Sequence, residues 1–363
     1  MNKIGIVTFN NAINYGAVFQ CYALQEFLKK MDCNPFVINY RSKFIEKCYS
    51  PFYISNRKVL NGIVRGLFFG RIMNNKKKRF ESFCNKYLNL SKKIYTNRDM
   101  CEYVDTFDFF ISGSDQVWSP ISANFDEFYF LPFAKKHQKR SYAASIGSTS
   151  LDSNIEDALK KRLNDYPFYS VREESAKNII QKLFPEKKVF VNIDPTLLLS
   201  KNEWEKVASV KEHNEKYLLV FNVEKEINDL LYAKKIAKEN GLKVYYINDR
   251  TLRKDKDIKY IEAPKPEDFL NLFKNAEIII TNSFHGTVFS IIFEKEFYVE
   301  LENKKARNIR SEALLEYLNL EDRVINNKNI NNNNKINWQD VKCLIDKKRQ
   351  ESINYFELIK NNI

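Results

Sequence analysis

Glu277-Ile278-Ile279-Ile280-Thr281-Asn282-Ser283-Phe284-His285-Gly286-Thr287-Val288-Phe289-Ser290 is the stretch whose reading decides the fold. Its β-branched run reads as a short buried strand. A polar turn holding one histidine and one glycine follows, and an apolar helix starts there. Strand, short loop and helix make the unit of a parallel α/β sheet, and such sheets gather ligands at the carboxyl ends of their strands. The loop also feeds a helix N-terminus, whose unpaired N–H groups attract anions. His285 is one of three histidines in 363 residues. A packed histidine in a tight turn reads equally well on spacing alone.

The same pattern recurs upstream. Residues 4–9 read as a first strand, 10–16 as a polar loop, and a helix carrying Val18, Cys21, Leu24, Phe27 and Leu28 follows, with residues 36–40 as the next strand. Asn14 and Gly16 sit where that helix begins, a candidate anion contact. Residues 107–112 form another apolar strand, ending in Gly113-Ser114-Asp115-Gln116. Asp115 is a candidate base, a ligand for an acceptor hydroxyl, or a cap of the next turn. Residues 141–147 read as a further strand. Arg172 follows the short strand 169–171, just as Glu173, Glu174 and Ser175 open a helix. Its guanidinium matches carboxylate or phosphate bidentately; a surface ion pair with Glu173 or Glu174 is the alternative. Residues 188–194 end a strand with Asp194 before Pro195.

A second α/β run begins at residues 217–221. It continues through a helix at about 226–240, a strand at 243–247 and a helix starting at Pro266, into the opening stretch, then a strand at 296–301. Lys304, Lys305, Arg307 and Arg310 cluster ahead of a helix carrying Leu314, Leu315 and Leu318, and Asn337 is placed to cap a last helix.

Composition narrows the class. Hydrophobic residues make up 44% of the chain, with 28 Phe and 20 Tyr, enough to fill two cores. The six cysteines form no C-x-x-C pair and no metal-ligand spacing with histidine, which suggests a reducing compartment. Met1-Asn2-Lys3 precedes only a brief apolar run, unlike a signal peptide, and no apolar stretch is long enough to span a bilayer. No G-x-G-x-x-G and no P-loop lysine occur, so nicotinamide or flavin binding in the usual mode is not expected. The net charge of +13 is concentrated: residues 57–98 hold twelve Lys/Arg and one acid, Glu81. Such a block suits an anionic partner or surface; a solvated helix face is the plainer reading. Its aromatics come without an RNP, zinc-finger or helix-turn-helix signature, so nucleic acid is not expected.

Five pieces in order carry a resemblance: Asn14-Tyr15-Gly16-Ala17; Ser112-Gly113-Ser114-Asp115-Gln116-Val117-Trp118; Ser170-Val171-Arg172-Glu173; Asp194-Pro195-Thr196-Leu197-Leu198; and Ser283-Phe284-His285-Gly286. Together they resemble the polysaccharide pyruvyl transferase family, over roughly residues 1–325. The resemblance implies two Rossmann-like domains facing a cleft, as in B-type glycosyltransferases. The expected bounds are 1–205 (with a basic helical insertion at about 43–100), 206–335, and a C-terminal helix at 336–363. It implies transfer of the carboxyvinyl group of phosphoenolpyruvate onto two hydroxyls of a sugar in a surface polysaccharide or cell-wall glycan precursor, lipid-linked or nucleotide-linked. No cofactor or metal is implied beyond that co-substrate.

On this reading His285 and Asp115 are catalytic. Arg172, Asn14, Gly16, Ser283, Gly286, Lys305 and Arg310 bind the donor, and Ser114, Asp115 and Gln116 face the acceptor. Some members carry arginine two residues before the histidine; here Ser283 stands there, so Arg172, Lys305 or Arg310 would supply the cation. The expected location is the cytoplasm, or the inner face of the plasma membrane with residues 57–98 against anionic lipid. A nucleotide-sugar glycosyltransferase of the same architecture and a non-catalytic binder of acidic glycan are the alternatives.

Overall fold

The computed structural model describes residues 1–50, 59–223, 228–249, 254–301, 305–325 and 334–361. The chain divides into two compact units. The first comprises Met1–Tyr49, Cys84–Leu199 and Ile345–Ile363; the second comprises Ser50–Phe83 and Ser200–Leu344. The basic segment, expected inside the first domain, is thus shared between both units, and from Ile345 onward the last helix belongs with the first.

The first unit is built on strands β1 (Lys3–Val7), β2 (Asn34–Tyr40), β3 (Leu90–Ile94), β4 (Phe109–Ser112) and β5 (Lys139–Ser141), in the order β3-β2-β1-β4-β5. Every pairing is parallel. Strands β6 (Tyr169–Val171) and β7 (Val189–Val191) pair with each other, and Ala144 bridges them to the sheet through Asp115 on one side and Val171 on the other. Residues with no polar side chain fill β4 up to Ser112, because helices cover both faces of a parallel sheet. Around it lies a core dominated by Phe9, Tyr129, Phe110, Phe128 and Trp118. The helix Trp338–Asn361 closes this core, with Phe356 stacked on Tyr142 at 4.5 Å and the Tyr355 hydroxyl donating to the Ser141 carbonyl at 2.5 Å.

Two expectations need correction here. The segment 43–100 is not wholly helical: after the helix Val59–Tyr87 it adds β3, an edge strand whose central lysines face solvent. The strand expected at 141–147 stops at Ser141. Ala143 (φ +46°) and Gly147 (φ +70°) take left-handed backbone and turn the chain off the sheet.

The second unit repeats the plan. Strands β8 (Tyr217–Phe221), β9 (Lys243–Ile247), β10 (Ile258–Ile261), β11 (Ile278–Thr281), β12 (Glu296–Glu300) and β13 (Val324–Ile325) run in the order β10-β9-β8-β11-β12-β13. All pairings are parallel. Numbered from its own first strand this is 3-2-1-4-5-6, the doubly wound dinucleotide-fold order. The helix Pro266–Asn275 leads into β11, and Phe269 and Phe273 pack against Phe221 and Phe289. Trp204, fully buried, sets its ring edge-on to Phe289 at 5.1 Å. Among the described residues, no helix is long and apolar enough to cross a membrane.

Candidate functional site

In each unit the strand order reverses direction at one place, and the loops after β1, β4 and β11 lie there, while Arg172 follows β6. In the first unit β1 and β4 are neighbours, and their chains leave for different sides. The Thr8 hydroxyl donates to the Ser114 carbonyl at 2.8 Å and ties the two loops together. Asn14 is the N-cap of the helix Tyr15–Lys30, its side-chain oxygen accepting from the Ala17 N–H at 3.3 Å. Gly16 is buried in the first turn. Both residues therefore build the helix start. Gly113 sits at φ +110°, where a Cβ would lie 2.5 Å from the Tyr142 carbonyl oxygen.

Ser114 is fully buried and donates to the Ala143 carbonyl at 3.0 Å. Its hydroxyl thus pins the loop to residue 143. Gln116 accepts from the Ser122 hydroxyl at 2.5 Å. Asp115 keeps a partly exposed carboxylate (14%) on left-handed backbone at φ +72°. Such strained polar residues concentrate at functional sites. Its Oδ1 accepts from the Gln116 N–H at 2.9 Å.

Arg172 was expected to present an open fork. Instead the fork is turned inward onto carboxylates. Its Nη1 meets Asp194 Oδ2 at 2.7 Å, its Nη2 lies 3.5 Å from Asp115 Oδ1, and its Nε lies 3.8 Å from Glu173 Oε2. The other oxygen of Asp194 accepts from the N–H and the hydroxyl of Thr196, at 3.0 and 2.6 Å. Glu173 Oε1 accepts from the Ser145 hydroxyl (2.8 Å) and from the N–H groups of Ile146 and Gly147 (3.2 and 3.3 Å). Burial alone would lower the Arg172 pKa, but Asp194, Asp115 and Glu173 outweigh it and the group is held above its ordinary value. Three carboxylates around one guanidinium make this pocket formally negative. It suits the anchoring of Asp115 and disfavours an external anion. Glu173 and Asp194 stood within the motif pieces but without a role. What the sequence does not display is that their carboxylates meet on Arg172.

In the second unit the reversal falls between β8 and β11, and β11 carries the histidine turn. Asn282 joins the two strand ends: its N–H donates to Asn222 Oδ1 at 3.2 Å, and its own Oδ1 accepts from the Val223 N–H at 2.9 Å. Ser283 is the N-cap of the helix Phe284–Ile292, its Oγ accepting from the Gly286 N–H at 3.3 Å. Thr281 Oγ1 donates to the Phe221 carbonyl at 2.5 Å and accepts from the Ser283 N–H at 3.1 Å. A Cβ on Gly286 would lie 2.2 Å from that same Thr281 oxygen. Gly286 is therefore needed because the helix starts directly against the strand end.

His285 is the second residue of this helix, 8% exposed, with its ring edge-on to Phe284 at 5.1 Å. The Arg310 guanidinium lies over the other ring of that pair, 5.3 Å from the Phe284 centroid. One unit thus brings together an imidazole, a guanidinium and the free N–H groups of a helix start. Lys305 opens the helix Lys305–Tyr317, which carries Arg310; the Lys305 side chain lies outside the described residues.

The basic segment is partly engaged within the second unit. Lys76 pairs with Asp249 at 2.6 Å, and Arg79 donates to the Ala263 carbonyl. Lys77 and Lys78 are exposed; Arg57 and Lys58 lie outside the described residues. A groove of about 670 Å³ in this unit, lined by His213, Tyr245, Lys259 and Asn271 among others, includes none of residues 281–286.

A model of the polysaccharide pyruvyl transferase family matches residues 14–300, from the first helix cap to the end of β12. No curated protein matches the sequence. Among solved structures, UDP-GlcNAc 2-epimerase from Neisseria meningitidis bound to UDP-GlcNAc is similar at 12% identity and a TM-score of 0.52, covering 100% of this chain and 94% of that one. The S. aureus MnaA–UDP structure is similar at 13% identity and 0.53, covering 100% and 98%. Arabidopsis thaliana UGT89C1 complexed with quercetin is similar at 7% identity and 0.51, covering 99% of each chain. At such identities the likeness establishes the fold alone, which is the GT-B fold of epimerases and glycosyltransferases.

Two substitutions test the local account. Gly286→Ala should destabilise the protein by roughly 1–3 kcal/mol through overpacking against Thr281, read as a shift in the urea midpoint. Asp194→Ala, which leaves Arg172 with a broken buried pair, should cost roughly 3–5 kcal/mol in the same assay.

Proposed function

The chain belongs to the polysaccharide pyruvyl transferase family, and on that footing we propose that it moves the carboxyvinyl group of phosphoenolpyruvate onto two hydroxyls of one sugar, giving a cyclic ketal and phosphate. The observation that carries this reading is the turn at the end of β11: an imidazole on a capped helix start, next to Phe284, over whose ring the Arg310 guanidinium lies. Phosphoenolpyruvate is small and multiply anionic. A guanidinium matches its carboxylate or phosphate, and helix N–H groups add fixed partial positive charge. Arg310, on this view, supplies the cation that Ser283 does not, with Gly286 and Ser283 shaping the turn.

The proposed step balances as follows. His285 delivers a proton to the methylene carbon of the donor, which becomes a methyl group, and the neighbouring carbon turns electrophilic. One sugar hydroxyl bonds to that carbon, and its proton passes to the phosphate. The bond from that carbon to the phosphate oxygen breaks, with the electron pair leaving on phosphate. The second hydroxyl bonds to the same carbon, and its proton restores His285. Arg172, flanked by its three carboxylates, holds Asp115 in place and takes no part in binding the donor.

Glycosyl transfer from a nucleotide sugar is the second reading, since structures of the same fold are bound to UDP or UDP-GlcNAc. The two are separated by ligand protection against thermal unfolding. Phosphoenolpyruvate should raise the melting temperature where UDP-GlcNAc does not; the reverse result would favour glycosyl transfer. With a panel of sugar acceptors, His285→Ala should lower phosphate release from phosphoenolpyruvate by about 10²–10⁴-fold, the usual contribution of a general acid. Wild-type turnover in that variant would contradict the assignment.

A further inference from the structure

At the loop after β1 and the start of the helix Tyr15–Lys30 lie polar side chains whose hydrogen-bonding capacity the fold uses only in part. Thr8, Asn10 and Gln20 are at most 3% exposed. Gln20 Nε2 donates to the Thr8 hydroxyl and to the Ala17 carbonyl, both at 2.9 Å. Its Oε1 is shut off from solvent with no hydrogen-bond partner among the described residues. Asn10 Nδ2 donates to Asn39 Oδ1 at 3.3 Å, and its Oδ1 is likewise buried without a partner there. Asn11 is the extreme case: both its Nδ2 and its Oδ1 are buried and unmatched. Buried amides are nearly always paired, and leaving one unpaired is costly. Three of them at one strand end amount to more than a packing fault.

Their place matters as much as their state. They follow β1 at the reversal point of the first sheet, where parallel α/β sheets seat ligands. Their chemistry also selects a ligand. A primary amide offers donors on one side and an acceptor on the other, with no charge. The unmatched atoms are three acceptor oxygens and the Asn11 Nδ2 donor; the oxygens disfavour an anion, and a sugar hydroxyl, which both donates and accepts, answers both kinds of atom. Asn11 as a residue is only partly buried.

We propose that Asn11, with Asn10 and Gln20 behind it, is a sugar-hydroxyl site that holds the neutral acceptor. The proposal rests on the pyruvyl-transfer reading, which requires an acceptor diol. The test is saturation-transfer NMR of the full-length protein with a panel of methyl hexopyranosides and methyl 2-acetamidohexopyranosides. Phosphoenolpyruvate binding is followed in parallel by thermal shift. At least one glycoside should show transfer with wild type. Asn11→Ala should reduce it at least fivefold, and so should Asn11→Asp, which keeps the volume and loses the donors. The phosphoenolpyruvate shift should stay at its wild-type value in both variants, which also reports that they are folded. Transfer that persists in the variants, or no transfer with wild type, overturns the site: the amides would then be matched by water alone. Glycoside binding that depends on Asn11, in a protein that phosphoenolpyruvate does not stabilise, would sink the donor reading and leave the sugar site standing.

Discussion

The constraint on which the second unit's chemistry depends is a contact that permits no side chain. The helix Phe284–Ile292 begins so close to the end of β11 that a methyl group at residue 286 would sit 2.2 Å from the Thr281 oxygen. That oxygen is itself fixed, by the Phe221 carbonyl on one side and the Ser283 N–H on the other. Ser283 then caps the helix. The result is a helix start held by both strands of the reversal point, with His285 in its first turn. Positioning is what a general acid requires, since efficiency falls steeply with misplacement. All nine helix residues are buried, so the turn stands on core rather than on an isolated loop.

The two units carry opposite electrostatics at equivalent places. The turn after β11 gathers helix N–H groups and Arg310, a setting for an anion. The loops after β4 and β6 gather Asp115, Glu173 and Asp194 around Arg172. Among the described contacts the Arg172 guanidinium joins all three carboxylates. Losing one partner would leave the remaining charges uncompensated in a dry environment.

Much of this was legible before any coordinates. The strands at 217–221 and 243–247, the helix from Pro266, and the strand–turn–helix around His285 stand where periodicity puts them. Asn337 caps the final helix, its Oδ1 accepting from the Gln339 N–H at 3.2 Å. What escaped has a common cause. Strands β3 and β10 are the outer strands of the two sheets, short and interrupted by lysine, so they lack the apolar run that marks a central strand. Residues 142–147 look like strand because Ala and Ser are small, yet Ala143 and Gly147 bend away through positive φ. At the site, residue identity was readable and partnership was not. Arg172 and Asp194 stand 22 residues apart, and nothing local announces that they meet. The contact of Ser114 with Ala143, 29 residues on, is equally silent in the sequence. Unmatched amides such as Asn11 are visible only once every other partner has been placed.

With three histidines, His137, His213 and His285, the most direct measurement is a phosphoenolpyruvate titration of protein labelled with ¹⁵N on its imidazole rings. His285 peaks are identified by their absence from the His285→Gln spectrum. The account predicts that the His285 resonances alone move, saturating with donor, while those of His137 and His213 stay in place. If no histidine resonance responds, or if His213 in its separate groove responds in place of His285, the turn after β11 is not the donor site and the central claim fails.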